Sequence, residues 1–482
     1  MNPSDGQFDG VAEPDGRVPG SYRDLSNHVF RHAGRVLRAM DDCSFAAIDS
    51  LIRRGLLGRW IDAGLIVPTW VVDDDPLTDQ WRGEHPGFAH FLEHQPIHPI
   101  TYPYEWTVSM LADAGRLTLE LQRRLLDEGF ALKDASAYNV QFAGGRPCWI
   151  DLGSIEHPRR RDLWFALDQF SRMFTFPLLL ARYAGIEPKA YFLADPQGCD
   201  VVRAARRLGA VGRWRPAAFW DVGLPALLER WARHRRAESR TLGTAHADDP
   251  TPQRFTLRRL ERRLARLAEG YRPRSRWAGY AAECPYPAAA EAAKRRIVHD
   301  FIAESRPGVV LDLGCNTGEY SLEAAEAGAS AVVALDADHD AVERLYRRNR
   351  TAKAPITPIV ADLLNPSPAL GWMNREREAL LARLRADCVL GLALTHHLCI
   401  EGNLDPTGPV ELLASLARRD VLIELVPPDD PMVRRRMRFR ADSDLVKPLD
   451  AWRAALAERF ELLAEHPLPD SGRRLVVARR RR

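Results

Sequence analysis

Apolar positions recur at helical spacing over 106–126, where Val108, Leu111, Leu117, Leu121 and Leu125 share one face. Continuous patterning of this kind extends from Ser21 to about residue 235. It stops in 232–255, which holds almost no large apolar residues and contains Asp248-Asp249-Pro250-Thr251-Pro252 near its end, the composition of a linker. A basic amphipathic helix is predicted over 256–271. Beyond it, short apolar runs alternate with helices. Strands are predicted at 309–311, 331–335, 356–360, 388–394 and 421–426, and a closing hairpin at 460–463 and 475–478. A helix over 320–327 ends at Gly328. Asp338 is placed to N-cap another, with Ala341, Val342, Leu345 and Tyr346 on one face. Strand alternating with helix predicts a doubly wound parallel sheet, and ligands of such sheets lie beyond the carboxyl ends of the strands.

The length of 482 residues allows two or three domains. The expected division is a disordered Gly-, Pro- and Asp-rich tail at 1–20, one domain at 21–235, a linker at 236–255 and a second domain at 256–482. With 68 basic and 65 acidic residues the net charge is +3, so no general field favours nucleic acid or acidic lipid. The arginine-rich stretches 159–161, 258–266 and 434–440 read as solvated faces, and nucleic acid is not expected as a partner. The seven cysteines include no Cys-x-x-Cys pair, which argues against a disulfide framework or a structural zinc site; no metal is expected. The polar, acidic N-terminus has no apolar h-region. The longest apolar run, 174–181, is far below the roughly 18 residues that span a bilayer. A cytoplasmic protein with no membrane partner is the expectation. No internal repeat is visible.

The chemistry concentrates at Val309-Val310-Leu311-Asp312-Leu313-Gly314-Cys315-Asn316-Thr317-Gly318-Glu319-Tyr320. A strand ends at Asp312, and the chain turns through Gly314 and Gly318 into a helix. Glycine there permits backbone angles and a close ligand approach that a Cβ would forbid. The next strand ends in Asp336, an acid placed to accept hydrogen bonds from ribose hydroxyls. Together these ask for an adenosine-like ligand. A dinucleotide fingerprint would need Gly where Asn316 stands, and Glu319 at the helix start would repel a pyrophosphate. A sulfonium carries no phosphate, and its positive charge tolerates neighbouring acids.

The segment 309–320 resembles the first motif of class I S-adenosylmethionine-dependent methyltransferases. Residues 331–336 resemble their second motif, and Val360-Ala361-Asp362-Leu363 their third. The resemblance covers roughly 277–479. It implies S-adenosylmethionine as cofactor and a Rossmann-like doubly wound sheet of the class I methyltransferase type. It further implies that Asp312, Gly314, Cys315, Asn316 and Gly318 line the methionine end, that Asp336 holds the ribose and that Asp362 approaches the adenine. Tyr320 is expected to wall the pocket. The segment 423–433, with 395–398, is also similar to a bacterial methyltransferase group that includes proteins linked to host-specific nodulation in rhizobia. That likeness implies a small-molecule or glycan-related acceptor.

An oxygen or nitrogen acceptor calls for a base. His396 and His397, just past the fourth strand, lie at the carboxyl end where substrate is expected, and a neutral imidazole takes a proton near neutral pH. The alternative reading is that one of them only packs against or hydrogen-bonds the strand end. Glu424 reads as structural or as a contact near the site.

A second constellation lies at 132–156. Asp134 is followed by Asn139, and Asp151-Leu152-Gly153 comes after a hairpin pattern at 140–142 and 148–150 turning at Gly144-Gly145. It resembles the catalytic loop and Asp-Phe-Gly segment of kinase-like phosphotransferases. By that resemblance Asp134 would orient a hydroxyl, while Asn139 and Asp151 would hold magnesium. Lys133 and Leu132 depart from the usual Arg and His. No lysine precedes Lys133, and no glycine-rich phosphate loop is recognisable, although an arginine could partly replace the missing cation. A kinase-like α+β scaffold without phosphotransfer, an active phosphotransferase with a regulatory cofactor-binding domain, and a plain hairpin all stay open. The cluster Tyr102-Pro103-Tyr104-Glu105-Trp106 reads as the start of a helix with Glu105 in its first turn, or as a pocket wall.

Overall fold

The computed structural model describes residues 16–21, 24–72, 75–84, 87–234, 248–275, 287–438 and 446–481. The chain forms two compact units. One runs through the N-terminal part to Arg272 and includes Gly371–Arg377; the other comprises Pro273–Leu370 and Glu378–Arg482.

The first unit is α+β. An antiparallel sheet has the order β1 (Gly16–Arg17), β2 (Asn27–His32), β3 (Arg35–Met40), β5 (His90–His94), β4 (Thr69–Val71). A largely helical part follows, joined to it through two small antiparallel pairs: β6 (Ala131–Leu132) with β9 (Ile155–Glu156), and β7 (Val140–Ala143) with β8 (Arg146–Trp149). This is the layout that the kinase-like resemblance implies. The β7–β8 hairpin turns where the sequence places it, because Gly144 and Gly145 both take positive φ, 55° and 75°, as a two-residue hairpin loop requires.

Three sequence expectations shift here. Residues 16–21 are ordered: β1 pairs with β2, and Val18 N donates to Val29 O at 2.7 Å. Residues 1–15 of the expected tail and 235–247 of the expected linker lie outside the described residues. The helix Thr251–Gly270 begins inside the expected linker and belongs to the first unit rather than to the methyltransferase region. Pro252 suits its first turn, and Leu257, Leu260, Leu264 and Leu267 are buried, with the helix Val108–Asp127 its main neighbour. Gly115 of that neighbour faces Leu264 so closely that a Cβ would come within 2.6 Å of it. Finally, the helix expected at 106–126 starts at Val108, capped by the Thr107 side chain. Glu105 instead closes a separate short turn, accepting from Tyr102 N at 3.0 Å.

The second unit holds a seven-stranded sheet in the order β12-β11-β10-β13-β14-β16-β15. Its strands are β10 (Val309–Leu313), β11 (Ala331–Asp336), β12 (Ile356–Val360), β13 (Ala386–Gly391), β14 (Ala417–Leu425), β15 (Phe460–Pro467) and β16 (Arg474–Arg480). The first five run parallel, and β16 lies antiparallel between β14 and β15. Alternation along β10 sends Val309, Leu311 and Leu313 to one face and Val310 to the other. The first face packs on the helices Thr407–Leu416 and Leu449–Arg459 through Leu413, Leu416, Trp452 and Leu456. The second packs on Ala288–Ser305, Glu319–Glu326 and His339–Ala352 through Val298, Ile302, Leu322 and Leu345. Burial on both faces explains why these strands read as continuous apolar runs.

Candidate functional site

The order of the sheet reverses between β10 and β13, and their carboxyl ends are the switch point at which ligands of such sheets bind. After β10 the chain passes through Gly314 (φ 75°), Asn316 (φ 49°) and Gly318 (φ 81°) before the helix Glu319–Glu326. Gly314 N and Cys315 N both donate to Leu335 O at 2.8 Å, which ties the loop to the end of β11. At Gly318 a Cβ would come within 2.2 Å of Leu345 Cδ1, so glycine is required by packing as well as by φ.

The two acids converge. Asp312 is buried, and its Oδ2 accepts from Ser321 Oγ at 2.6 Å. Burial pushes its carboxyl up to about 6, against the Ser321 hydrogen bond and with help from the nearby Asp336 charge. Asp336 accepts from Asn316 N and from Asp338 N, both at 2.8 Å. Burial raises its carboxyl above the usual range, and these two amides oppose the rise. Asn316 Oδ1 is buried with no hydrogen-bond partner. Loop and acids thus form one edge with an acceptor left over and, among the described residues, no cation bonded to either acid. That arrangement suits a ligand carrying hydroxyls and a positive charge, as S-adenosylmethionine does. Glu319 is turned to Arg348 and, at 3.6 Å, to Arg295. Asp312, Asp336 and Asn316, rather than Glu319, therefore disfavour a pyrophosphate. Asp362 follows β12 and closes a turn, its Oδ1 accepting from Leu364 N at 2.9 Å.

His396 and His397 lie in the first turn of the helix Thr395–Gly402, which begins four residues past the end of β13, and their rings, 4.3 Å apart, meet different surroundings. His396 is buried, and its Nδ1 has no partner. Burial, with the charges of His397, Arg473 and Arg436, pushes its imidazole down to about 2, so it stays neutral. His397 is more open. Its Nδ1 lies 3.3 Å from Glu401 Oε1.

The partners of Glu424 were not legible in the sequence. Glu424, fully buried near the end of β14, meets Lys294 Nζ at 2.5 Å and Arg473 at 3.1 Å, and accepts from Ala393 N at 2.9 Å. Arg473 also binds Asp430 at 2.7 Å, and Lys294 Nζ lies 4.6 Å from the centre of the Tyr320 ring. The one available signal was rarity: Lys294 is one of only five lysines.

In the first unit the structure brings Asp134, Asn139 and Asp151 together. Burial and the Asp151 charge raise the Asp134 carboxyl, and Asn139 O accepts from Ile150 N at 2.9 Å. A residue not singled out from sequence completes the group. Arg38, buried on β3, bonds Asp151 Oδ1 at 2.9 Å, Ile150 O at 3.0 Å and His94 Nε2 at 3.2 Å, and also Asn27. It places a cation on β3 directly against Asp151. Gly153 is needed because a Cβ there would come within 2.3 Å of Asn27 Nδ2. Tyr138, next to Asn139, stacks under Arg377 of the Gly371–Arg377 segment, the guanidinium 3.9 Å from the ring centre. Tyr104 belongs to the core, being almost wholly buried, rather than to an open pocket wall.

Residues 310–372 match a methyltransferase domain family, and S-adenosylmethionine is the cofactor. Among solved structures, the N-methyltransferase NodS from Bradyrhizobium japonicum WM9 is 12% identical, with a TM-score of 0.31 over 41% of this chain and 99% of its own. The bifunctional kinase-methyltransferase WbdD is 20% identical, with a TM-score of 0.29 over 39% of this chain and 38% of its own. Over the full length the similarity is far stronger: nodulation protein NoeA of Rhizobium meliloti (strain 1021) is 34% identical over 481 residues, 99% of each chain. The chain belongs to the family of that nodulation protein and carries within it a methyltransferase domain.

Proposed function

We propose that the second unit transfers a methyl group to a small-molecule or glycan-related acceptor held beyond the carboxyl ends of β10, β13 and β14. The observation that carries this reading is the Asn316 N–Asp336 bond of 2.8 Å, which joins the glycine loop and the second-strand acid into one binding edge. The acceptor class follows the nodulation-linked resemblance of 395–398 and 423–433.

The cofactor supplies an electrophilic methyl carbon on a sulfonium. The acceptor's lone pair forms the new bond to that carbon as the carbon–sulfur bond breaks, leaving S-adenosylhomocysteine. The chain's work is to position and to move one proton. Asp336, with lone pairs beyond those used by two amides, holds the ribose hydroxyls. Gly314, Cys315, Asn316 and Gly318 hold the methionine end, with the Asp312 charge facing the sulfonium side. Asp362 borders the adenine. Alignment of the reacting atoms can account for much of the rate. Of the two histidines His397 is the candidate base: it is the more open and its ring is held by Glu401 at 3.3 Å, whereas His396 is too weakly basic to draw a proton from an alcohol or ammonium. His396 contributes a neutral polar wall.

In the first unit, the Arg38 guanidinium already neutralises Asp151, so this constellation serves as a kinase-like scaffold. Calorimetric titration with S-adenosylhomocysteine tests the cofactor site: wild type gives saturable heat, and Asp336→Ala loses it. No heat from folded wild type overturns the reading. Labelled cofactor incubated with cell extract then identifies the methylated product.

A further inference from the structure

Away from both sites, the first unit displays an aromatic surface that nothing described so far uses. The helix Val201–Trp214 and the helix Leu224–His234 pack on each other and on the π-helical turn Phe219–Gly223 between them. Leu227, Leu228 and Trp231, spaced i, i+1 and i+4, share one exposed face of the second helix, while Ala226 is buried. Val211 and Trp214 stand out from the first helix and Trp220 from the turn. Trp214, Trp220 and Trp231 are 51%, 67% and 58% exposed, and Val211 is 78% exposed. The presentation is fixed: Phe219 stacks on Trp214 at 5.6 Å and meets Trp220 edge-on at 5.1 Å. Gly223 fits so tightly that a Cβ would come within 2.5 Å of Arg213 O.

Arginines accompany these side chains. Arg206, Arg207 and Arg215 are exposed, and Arg213 is half-buried. None of the four is paired with a carboxylate among the described residues. Arg207 and Arg215 lie over the rings of Tyr191 and Tyr183, at 4.8 and 5.5 Å. The nearby acids are engaged elsewhere: Asp195 and Asp200 by Arg203, and Asp221 by Arg259 and Arg263.

We propose that this helical pair docks on an anionic lipid surface. The tryptophans, Leu227 and Leu228 enter the boundary between headgroups and acyl chains, and the unpaired arginines meet lipid phosphates. Tryptophan and leucine beside arginine on short amphipathic helices are the composition that lies in a membrane interface. Charge complementarity decides for lipid over an apolar protein groove, because four uncompensated guanidinium groups would be desolvated there without partners. No helix of the described residues is long and apolar enough to cross a membrane. The sequence-level expectation of no membrane partner rested on spanning length and overall charge, and neither bears on a patch assembled by folding.

Co-sedimentation of the full chain with vesicles tests this, comparing phosphatidylcholine alone with phosphatidylcholine containing about one third phosphatidylglycerol. Binding to the anionic vesicles is expected to exceed binding to neutral ones by about tenfold, and to fall steeply between about 0.1 and 0.5 M salt. The triple variant Trp214→Ser/Trp220→Ser/Trp231→Ser should lose about tenfold or more, and Arg206→Ser/Arg215→Ser about tenfold with a shallower salt dependence. Far-ultraviolet circular dichroism shows that each variant is folded. Three results overturn the proposal: equal binding to both vesicle types, a folded tryptophan variant that binds like wild type, or a wild-type dimer in solution that the tryptophan variant dissociates. The last would assign the patch to a second copy of the chain.

Discussion

Each unit holds a pair of neighbouring carboxylates at the end of β-structure, and the two pairs are handled in opposite ways. In the first unit, Asp151 is bonded by the buried Arg38, while Asp134 is left with its carboxyl raised. In the second unit, among the described residues, Asp312 and Asp336 receive only neutral donors: Ser321 Oγ and the amides of Asn316 and Asp338. A guanidinium cancels a carboxylate charge inside the protein, whereas amides and hydroxyls stabilise it without cancelling it. Asp151 is thus met by a cation, and the proposed cofactor site is the pair whose acids are met by neutral donors. Similar residues, Asp with Asp beside a glycine turn, thus meet different partners in the two units, and the proposed roles follow those partners.

The contrast is broken most directly at Arg38. Arg38→Met strips Asp151 of its cation and leaves Asn27 and Ile150 O without their donor. The loss should be about 3 kcal/mol of unfolding free energy in urea, while affinity for S-adenosylhomocysteine stays unchanged. A variant as stable as wild type would show that Arg38 is not the counter-ion. A companion titration with magnesium and ATP should give no heat in wild type. Saturable heat that Asp151→Ala abolishes would revive phosphotransfer.

The second pair is sharpened by pH. The Asp312 carboxyl is raised from 3.8 to about 6 in the folded state. Its contribution to stability is therefore full below about pH 4 and is lost as pH rises through about 6, a change of ~3 kcal/mol for that group. Asp312→Asn should remove this slope from unfolding measured between about pH 4 and 6. For the ligand the sign reverses, because a sulfonium favours the ionised form. Affinity for S-adenosylmethionine should fall by about tenfold from pH 7 to 5, while that for neutral S-adenosylhomocysteine stays nearly flat. Equal pH dependence for the two would show that Asp312 does not sense the sulfonium.

Asp336→Ala should weaken S-adenosylhomocysteine binding by about 100-fold, because charge-assisted bonds to ribose hydroxyls contribute roughly 1.5–3 kcal/mol. It also frees the Asn316 amide that positions the loop. An isothermal titration with unchanged affinity would displace the ribose from this acid. The smallest effect is expected at Ser321→Ala. Losing the 2.6 Å bond to Asp312 should cost about 1 kcal/mol of stability near pH 7 and raise the Asp312 midpoint further. A midpoint that fails to rise would mean that the hydroxyl is not what opposes burial.

Much of this was readable from local chemistry. Val309–Gly318 has to be a buried strand followed by a left-handed bend, because only that reading reconciles a continuous apolar run with Gly314 and Gly318. Gly144-Gly145 likewise declares its hairpin. What escaped were contacts between residues distant in sequence. Arg38 lies 113 positions from Asp151, and Lys294 130 positions from Glu424, and each looks like an ordinary cation in its own segment. The division of the units escaped for the same reason. The helix Thr251–Gly270 is amphipathic in any setting, and only its partner Val108–Asp127 places it in the first unit. The exposed tryptophans are a third case, since Trp214, Trp220 and Trp231 would read as core until folding left them outside.

The sequence by itself determined the sheet of the second unit, the glycine bend and the acids that end β10 and β11, because apolar alternation and positive φ are decided by neighbours along the chain. Only the tertiary structure decided how each acid's charge is met, which histidine stays neutral and which tryptophans face outward. Those outcomes depend on burial and on partners brought from far along the chain, and no local pattern encodes either.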